Sequence, residues 1–313
     1  MARAARTMIN SDLSAKLERL VRTIDPAQRL LSFEILSGGA AAHVALLDVE
    51  KPDESREKLV VRRHRPRDLA NNPNIARDEF RLLALLRDEG VAAPRPVHCE
   101  PAGLFETPCL VVTHVDGAPA EDHPNPDALV DAMADYLARL HRIDGNRRDL
   151  AFLPRTAQWL DEALANAPAV PDETLSETRI RRALTAAPTV VSGNRPALLH
   201  GDFWPGNIIW KDGAIAGAID WEDCAVGDPL IELGNTRLEL AWLVGPEYAD
   251  RFTERYIAAT NGTIDLTDLS RWDLWAALRP AGWVGGWEEY DAATVQRMKW
   301  GHREFVDRAI AAL

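Results

Sequence analysis

The chain has 313 residues, of which 46% are hydrophobic and 27% charged, and this composition excludes a disordered or fibrous protein. Its formal net charge is -12, and because an acidic surface repels a phosphate backbone, nucleic acid is not an expected partner. The same charge would attract a cationic small molecule, although it also keeps a protein soluble. A chain of this length can form one large domain or two lobes that share a cleft.

The cysteines and the apolar segments indicate where the protein works. Cys99, Cys109 and Cys224 form no Cys-x-x-Cys pair, which argues against a zinc site and fits a reducing compartment. Arg3 and Arg6 precede no apolar segment, so no signal peptide is predicted. No stretch approaches the roughly 18 consecutive apolar residues of a membrane span. We therefore expect a cytoplasmic protein that does not bind a membrane.

The first third of the chain predicts a helix followed by an antiparallel sheet. Residues 11–24 carry leucines and an isoleucine at helical spacing, with Ser11 as the expected N-cap. From about residue 29 to 65, the short apolar runs RLLSFEIL, HVALLDV and KLVVRR are separated by glycine-rich or charged turns. Such runs are typical of strands that pair with their neighbours in the sequence.

One more helix and two more strands complete this region. Residues 76–89, ARDEFRLLALLRDE, predict an amphipathic helix that ends at Gly90. Two further strands are expected around residues 95–99 and 108–115.

The remainder of the chain is predicted to be mostly helical. After Asp116-Gly117, the proline-rich stretch APAEDHPNPD predicts a linker. Helices are expected at 126–142, at 155–166 and in several segments between 228 and 312. One non-helical island, residues 196–221, interrupts them. We therefore predict an α+β fold of two lobes, with residues 1–115 as a sheet lobe that has a leading helix and residues 116–313 as a larger helical lobe.

The island contains the chemically informative residues. In HGDFWPGN, the side chains His200, Asp202 and Asn207 fit the frame H-x-D-x-x-x-x-N of a kinase catalytic loop. Phosphoryl transfer from ATP needs a carboxylate that orients and deprotonates the acceptor hydroxyl, and it needs oxygen ligands for Mg²⁺. Asp202 can be that base, and Asn207 and Asp220 can bind the metal.

The segment between the two metal-ligand candidates supports this interpretation. Asp212-Gly213 predicts a tight turn, so the residues on either side would form a β-hairpin that returns Asp220 to Asn207. The alternative is that Asp202 and Asn207 are turn residues and that Asp220 caps a helix, which are common roles for these side chains.

With HGDFWPGN, IDWED, GDP and the earlier LARLHRID, the chain resembles the aminoglycoside phosphotransferase and choline kinase family, which has the protein-kinase fold. The resemblance covers residues 30 to 245. It implies that Asp202 is the catalytic base, that Asn207 and Asp220 bind Mg²⁺, and that His200 and Asp228 are structural supports. It also implies ATP as the phosphoryl donor, with GTP left open. The implied acceptor is a hydroxylated small molecule that is aminoglycoside-like, macrolide-like or amino-alcohol-like.

The first lobe offers candidate nucleotide ligands. In LSGGAAAH, Gly38 and Gly39 would let backbone amides approach phosphate, or they form an ordinary hairpin turn. In KLVVRRH, strand alternation places Val60 and Arg62 on one face, with Val60 over the adenine and Arg62 at the phosphates. Arg62 stands where the family usually has lysine. The alternative is that Arg62, Arg63 and Arg65 all form a solvated basic edge.

Two further features of this lobe rest on the fold analogy. Glu79 on the predicted helix would pair with Arg62, unless it is an exposed helical charge. In CLVVTHVDG, Thr113 and Val115 match the positions whose backbone groups hold adenine in the family, although a plain strand end is the alternative.

The acceptor site has the weakest signal in the sequence. Residues 272–300 contain tryptophans and carboxylates, which could together bind a cation or could simply be core residues. The side chains concerned are Trp272, Trp275, Trp283, Trp287, Trp300, Glu288, Glu289 and Asp291.

Two other functions compete with that of a small-molecule kinase. A protein kinase is disfavoured because Asp220-Trp221-Glu222 replaces Asp-Phe-Gly, and a nucleotide-binding scaffold without activity has only Arg62 in its favour.

Overall fold

The computed structural model describes residues 2–36, 42–121, 123–187, 193–281 and 290–313. The chain divides into two compact units, Met1–Asp116 and Gly117–Leu313. In the described residues, no helix is both long enough and apolar enough to cross a membrane.

The first unit is an antiparallel sheet with helices. Five strands lie in the order β1-β2-β3-β5-β4. Its elements are α1 (Ala2–Ile24), β1 (Arg29–Leu36), β2 (Ala42–Glu50), β3 (Arg56–His64), α2 (Pro66–Asn71), α3 (Ile75–Asp88), β4 (Pro96–Glu100) and β5 (Cys109–Thr113). The strands and α3 lie where the sequence predicts them, whereas the short helix α2 was not predicted.

Alternation along the strands gives this sheet two different faces. Leu47 and Val61 are fully buried in a cluster with Leu17 and Leu20 of α1. On helix α3, Leu82, Leu83 and Leu86 are buried, and the helix packs on β4 and β5. Helix α1 begins at Ala2, so the prediction that Ser11 caps its N-terminus is wrong. The preceding segment ARAARTMIN is rich in alanine and arginine, which favour continued helix.

The second unit is mostly helical. Its helices are α4 (Pro126–Leu140), α5 (Trp159–Ala165), α6 (Glu177–Ala186), α7 (Pro229–Leu243), α8 (Pro246–Ala259), α9 (Leu269–Leu278) and α10 (Ala292–Ala311). Its strands are β6 (Ala118–Pro119), β7 (Ala197–Leu199), β8 (Ile208–Lys211), β9 (Ala214–Ala218) and β10 (Ala225–Gly227). The short strands β7 to β10 make up the predicted non-helical island and its continuation.

Helix α7 lies at the centre of this unit. It packs against α8, α9 and α10 and contacts β7. Twelve of its residues are buried, among them polar ones. One part of the predicted linker is instead structured, because Ala118–Pro119 pairs with Trp210 and Ile209 as a third strand beside the β8–β9 hairpin.

Candidate active site

Asp202 and Asn207 are joined directly in the loop that follows β7. The side-chain Nδ2 of Asn207 donates to the backbone oxygen of Asp202 and to its carboxylate oxygen Oδ2, both at 2.9 Å. Asn207 ends a short 3-10 turn, Pro205–Asn207, and is only 7% exposed. The amide therefore fixes both the backbone and the carboxylate of Asp202.

The β8–β9 hairpin returns the chain to Asn207. Lys211 pairs with Ala214 across the two-residue turn, and Asp212 and Gly213 have φ values of 52° and 84°. A turn of this kind needs positive φ at both positions, and Asp-Gly is a favoured sequence for it. At the other end, the N–H of Ile219 donates to the backbone oxygen of Asn207 at 2.9 Å. Asp220 thus follows the residue that is bonded to Asn207.

The backbone of Asp220 is in the left-handed region, with φ of 68°. This conformation costs a residue other than glycine about 1 kcal/mol or more, and such residues are concentrated at functional sites. The strain turns the chain sharply at the end of the hairpin. It is a structural reason to regard Asp220 as more than a strand end.

Glu232 on α7 holds the start of the loop that contains Asp202, and it was not singled out from the sequence. Its two carboxylate oxygens accept the backbone N–H groups of His200 at 2.9 Å and Gly201 at 2.7 Å. His141 Nε2 donates to the same carboxylate at 3.0 Å. Burial acts to raise the pKa of Glu232, but the hydrogen bond from His141 and the other favourable contacts lower it overall. The folded protein therefore favours the ionised carboxylate at this position.

His200 and Asp228 act as structural residues in this arrangement. The ring of His200 is fully buried, and its Nε2 donates to the backbone oxygen of Ile219 at 2.9 Å. The His200 ring thereby connects the catalytic loop to the end of the hairpin. Asp228 is the N-cap of α7, where its side chain accepts from the N–H of Leu230 at 3.0 Å and from Asn194 Nδ2 at 3.1 Å.

Gly201 explains why the loop can approach the segment after the hairpin. Its φ is 87°, and a Cβ there would lie 2.0 Å from the backbone oxygen of Asp223. Asp223 retains an exposed surface. Loss of surrounding water raises the pKa of its carboxyl, and the charges of Asp202 and Asp220 raise it further. Three carboxylates are therefore close enough to influence one another in this loop.

In the first unit, Arg62 and Glu79 form an ion pair between β3 and α3. The Arg62 guanidinium donates to Glu79 Oε1, and both side chains are buried or nearly so, at 11% and 3% exposed. The interpretation of Arg62 as part of a solvated edge, and of Glu79 as an exposed helical charge, is therefore wrong. His64, fully buried on the same face, has its Nε2 3.5 Å from Glu79 Oε2.

The opposite face of β3 carries Arg63. Its guanidinium lies 5.3 Å from the centre of the Phe105 ring, and burial lowers its pKa. The expectation that Arg63 is a simple surface charge is therefore wrong. Leu59 and Val61 are buried on this face, whereas Val60 is half-buried. β3 pairs with both of its neighbours without a register shift.

Two of the remaining predicted nucleotide ligands are described, Thr113 as the last residue of β5 and Val115 just beyond it. The N–H of Thr113 already donates to the backbone oxygen of Arg95 at 2.9 Å. Val115 is half-buried and follows β5. Gly38 and Gly39 lie outside the described residues.

The predicted acceptor residues separate into different environments. Trp275 belongs to the buried core of the second unit and Trp272 packs against that core, as the alternative interpretation expected. Trp300 on α10 is 55% exposed, and Asp291 caps the same helix. The predictions for Trp283, Trp287, Glu288 and Glu289 fall outside the described residues.

The chemistry of Asn207 and Asp220 fits Mg²⁺. Because Nδ2 of Asn207 is directed at Asp202, the amide oxygen is left for another partner. No three His, Cys, Asp or Glu side chains in the described ranges converge as a metal site. Magnesium at phosphate-transfer sites takes one or two protein ligands together with substrate phosphates and water. A carboxylate and an amide oxygen therefore suffice here only if nucleotide completes the shell.

Comparisons with known proteins agree with this geometry. The family model described as the phosphotransferase enzyme family matches residues 32–280. Viomycin phosphotransferase of Streptomyces vinaceus is 29% identical over 209 residues, 60% of this chain and 68% of that protein. Acyl-CoA dehydrogenase family member 11 of Rattus norvegicus is 26% identical over 59% of this chain, but the match spans only 26% of that protein.

A solved structure extends the likeness to the whole fold. Amicoumacin kinase hAmiN, in complex with AMP-PNP, Ca²⁺ and Ami, superposes with a TM-score of 0.65 at 14% identity, over 95% of this chain and 96% of that one. This likeness confirms the predicted kinase-like fold. Because the family model covers most of the sequence and includes the Asp202–Asp220 loop and hairpin, the chain belongs to the phosphotransferase enzyme family.

Proposed function

We propose that the protein transfers the γ-phosphate of ATP to a hydroxyl group of a small molecule. The observation that carries this proposal is the double hydrogen bond from Asn207 to Asp202, beside a hairpin that returns Asp220 to Asn207. A general base must be oriented and a metal ligand must lie close to it for this reaction.

In the proposed reaction, Asp202 accepts the proton of the acceptor hydroxyl as the hydroxyl oxygen forms a bond to the γ-phosphorus. The bond between that phosphorus and the bridging oxygen of ATP breaks, and ADP leaves. Mg²⁺, when bound with the nucleotide, neutralises phosphate charge. Asn207 and Asp220 would hold it, and the rigid support of the loop by Glu232 keeps the Asp202 backbone in place.

Arg62 is the proposed phosphate ligand of the first unit. A guanidinium can donate two parallel hydrogen bonds, so it can bind phosphate oxygens while another N–H stays with Glu79. The Arg62–Glu79 ion pair supports this role, because a buried carboxylate fixes the orientation of the arginine. It also argues against a scaffold without activity, whose only support was the replacement of lysine by arginine. Val60, on the same strand, is the proposed contact for adenine, and Val115 offers backbone groups for its edge.

The acceptor is proposed to be a hydroxylated small molecule, as the names of the relatives suggest. Viomycin and amicoumacin appear in those names, and the chain's formal charge of -12 would attract a cationic compound. The test is ATP or GTP turnover by the purified protein with a panel of such compounds, with the phosphorylated product identified by mass spectrometry. Transfer to at least one hydroxyl is expected. Nucleotide binding without transfer to any compound would favour the scaffold instead.

A further inference from the structure

Helix α7 carries a line of polar side chains through an otherwise apolar environment. Glu232, Asn235, Thr236 and Glu239 recur at helical spacing of three or four residues. Two of them have partners in the catalytic loop, since Glu232 accepts backbone N–H groups there and Thr236 Oγ1 donates to the backbone oxygen of Phe203 at 2.8 Å. The line therefore follows the loop that contains Asp202.

Only one of the two polar atoms in the side-chain amide of Asn235 has a hydrogen-bond partner. The residue is 5% exposed, and its Oδ1 accepts a hydrogen bond from Arg279. Its buried Nδ2 has no hydrogen-bond partner among the described residues. Buried polar groups in native proteins are nearly always paired, and an unpaired donor is costly enough to need an explanation. A ligand that accepts from Nδ2 is one such explanation.

Glu239 lies one turn further along α7 and is half-buried, so part of its side chain remains accessible to solvent. Burial raises the pKa of Glu239 to about 8, and the charge of Asp202 adds to this effect, while Arg279 opposes it. Glu239 is therefore within electrostatic range of both the proposed base and the arginine.

Arg279, the hydrogen-bond partner of Asn235, follows α9 and lines a cavity. Its guanidinium lies 5.5 Å from the centre of the Trp275 ring, and the residue is exposed. A cavity of about 310 Å³ is lined by Arg279, Trp275, Trp159 and neighbouring residues of α5 and α6. The rings of Trp159 and Trp275 are stacked, with centres 5.8 Å apart. The charge of Arg279 also opposes the rise in the pKa of Asp223.

We propose that Asn235, Glu239 and Arg279 form an acceptor subsite beside Asp202, and that it binds an uncharged hydroxylated ring, such as a sugar or cyclitol. A hydroxyl can accept from Asn235 and donate to Glu239, whereas an ammonium group can only donate. The apolar face of such a ring can pack on the indole surface of the cavity. This inference rests on the proposed function and specifies the part of the acceptor next to the reacting hydroxyl.

The first test uses acceptors in pairs that differ only in a hydroxyl or an amine beside the reacting carbon. Glucose with glucosamine and kanamycin A with kanamycin B are such pairs. The subsite predicts a higher kcat/KM for the hydroxyl member. Preference for the amine member would overturn the inference, as would a panel in which no hydroxyl member raises ATP turnover above the acceptor-free rate.

The second test uses variants of the subsite. Glu239→Gln keeps the size of the side chain, and Asn235→Leu removes the unpaired donor. Each is expected to raise KM for the preferred acceptor about tenfold, because a factor of this size corresponds to the loss of one buried hydrogen bond. KM for ATP should stay unchanged. Glu254→Gln on α8, an exposed glutamate, is the matched control and should change neither constant.

These results separate the subsite from the proposed function. Transfer that depends on Asp202 but is insensitive to Asn235, Glu239 and Arg279 would overturn the subsite alone. Acceptor-free ATP hydrolysis that survives Asp202→Asn unchanged, with no phosphorylated product from any compound, would overturn both.

Discussion

Asn207 holds Asp202 at two points, because its Nδ2 donates to the backbone oxygen and to the carboxylate Oδ2 of that residue, each at 2.9 Å. Asn207→Ala removes both bonds together with a proposed metal ligand. We expect kcat to fall by about a hundredfold or more, the size of a general-base contribution. Steady-state kinetics at saturating Mg²⁺ measure this effect. If excess Mg²⁺ restores full activity to the variant, Asn207 acts only as a metal ligand. Its hydrogen bonds to Asp202 would then not contribute to catalysis.

Asp220 is expected to bind the metal together with nucleotide. Asp220→Asn keeps the size of the side chain and its tolerance of the left-handed backbone, but it replaces a charged oxygen ligand by a neutral one. Calorimetric titration of ATP with and without Mg²⁺ should show that the variant loses most of the gain in affinity that Mg²⁺ gives the wild type. An equal gain in both proteins would contradict the assignment.

Arg62 and Arg63 provide a matched pair on the two faces of β3. Arg62→Ala should raise KM for ATP and lower kcat, because the residue held by Glu79 is the proposed phosphate ligand. Arg63→Ala should leave ATP kinetics unchanged but reduce the free energy of unfolding by about 1 kcal/mol, through loss of its packing on Phe105. If Arg63→Ala is the variant with impaired ATP kinetics, the proposed roles of the two faces are reversed.

The ionised carboxylate of Glu232 should make the stability of the folded protein depend on pH. Its pKa is lowered from the ordinary 4.5 in the folded protein, because the hydrogen bonds it accepts outweigh its burial. A depressed pKa contributes stability above the unfolded value, and this contribution is lost as the pH falls through the folded value. Glu232→Gln should therefore be less stable than wild type at pH 7, by about 3 kcal/mol for a broken buried pair.

The pH profile provides the control for that prediction. The difference in free energy of unfolding between wild type and Glu232→Gln, measured by denaturant titration, should shrink as the pH falls below 4.5. A difference that is constant between pH 7 and pH 4 would show that the charge of Glu232 is not what holds the loop.

The sequence predicted the elements whose signal is local. The Asp212-Gly213 turn fixes the register of the β8–β9 hairpin, and strand alternation separates Arg62 from Arg63. Both inferences need only the neighbouring residues and the geometry of a strand. The pairing of Arg62 with Glu79 was expected from the family resemblance, and the ion pair is present.

What the sequence did not predict depends on contacts between distant residues. Helix α7 is buried around most of its circumference, so the polar residues Glu232 and Glu239 are not distinguished by helical periodicity. Their importance appears only when the catalytic loop is placed against them. Arg63 was expected at the surface because nothing near it in the chain indicates that Phe105 covers it. The missed strand Ala118–Pro119 likewise depends on a partner that is distant in the sequence, since Ala118 pairs with Trp210.

The most direct test of the central claim is the comparison of Asp202→Asn with wild type in a single-turnover measurement of phosphoryl transfer. The variant keeps the size of the side chain but cannot accept the proton, so the transfer rate should fall by about 10²- to 10⁴-fold. Affinity for the ATP–Mg²⁺ complex, measured in parallel, should change little. A transfer rate within a few-fold of the wild-type value would contradict the assignment of Asp202 as the base.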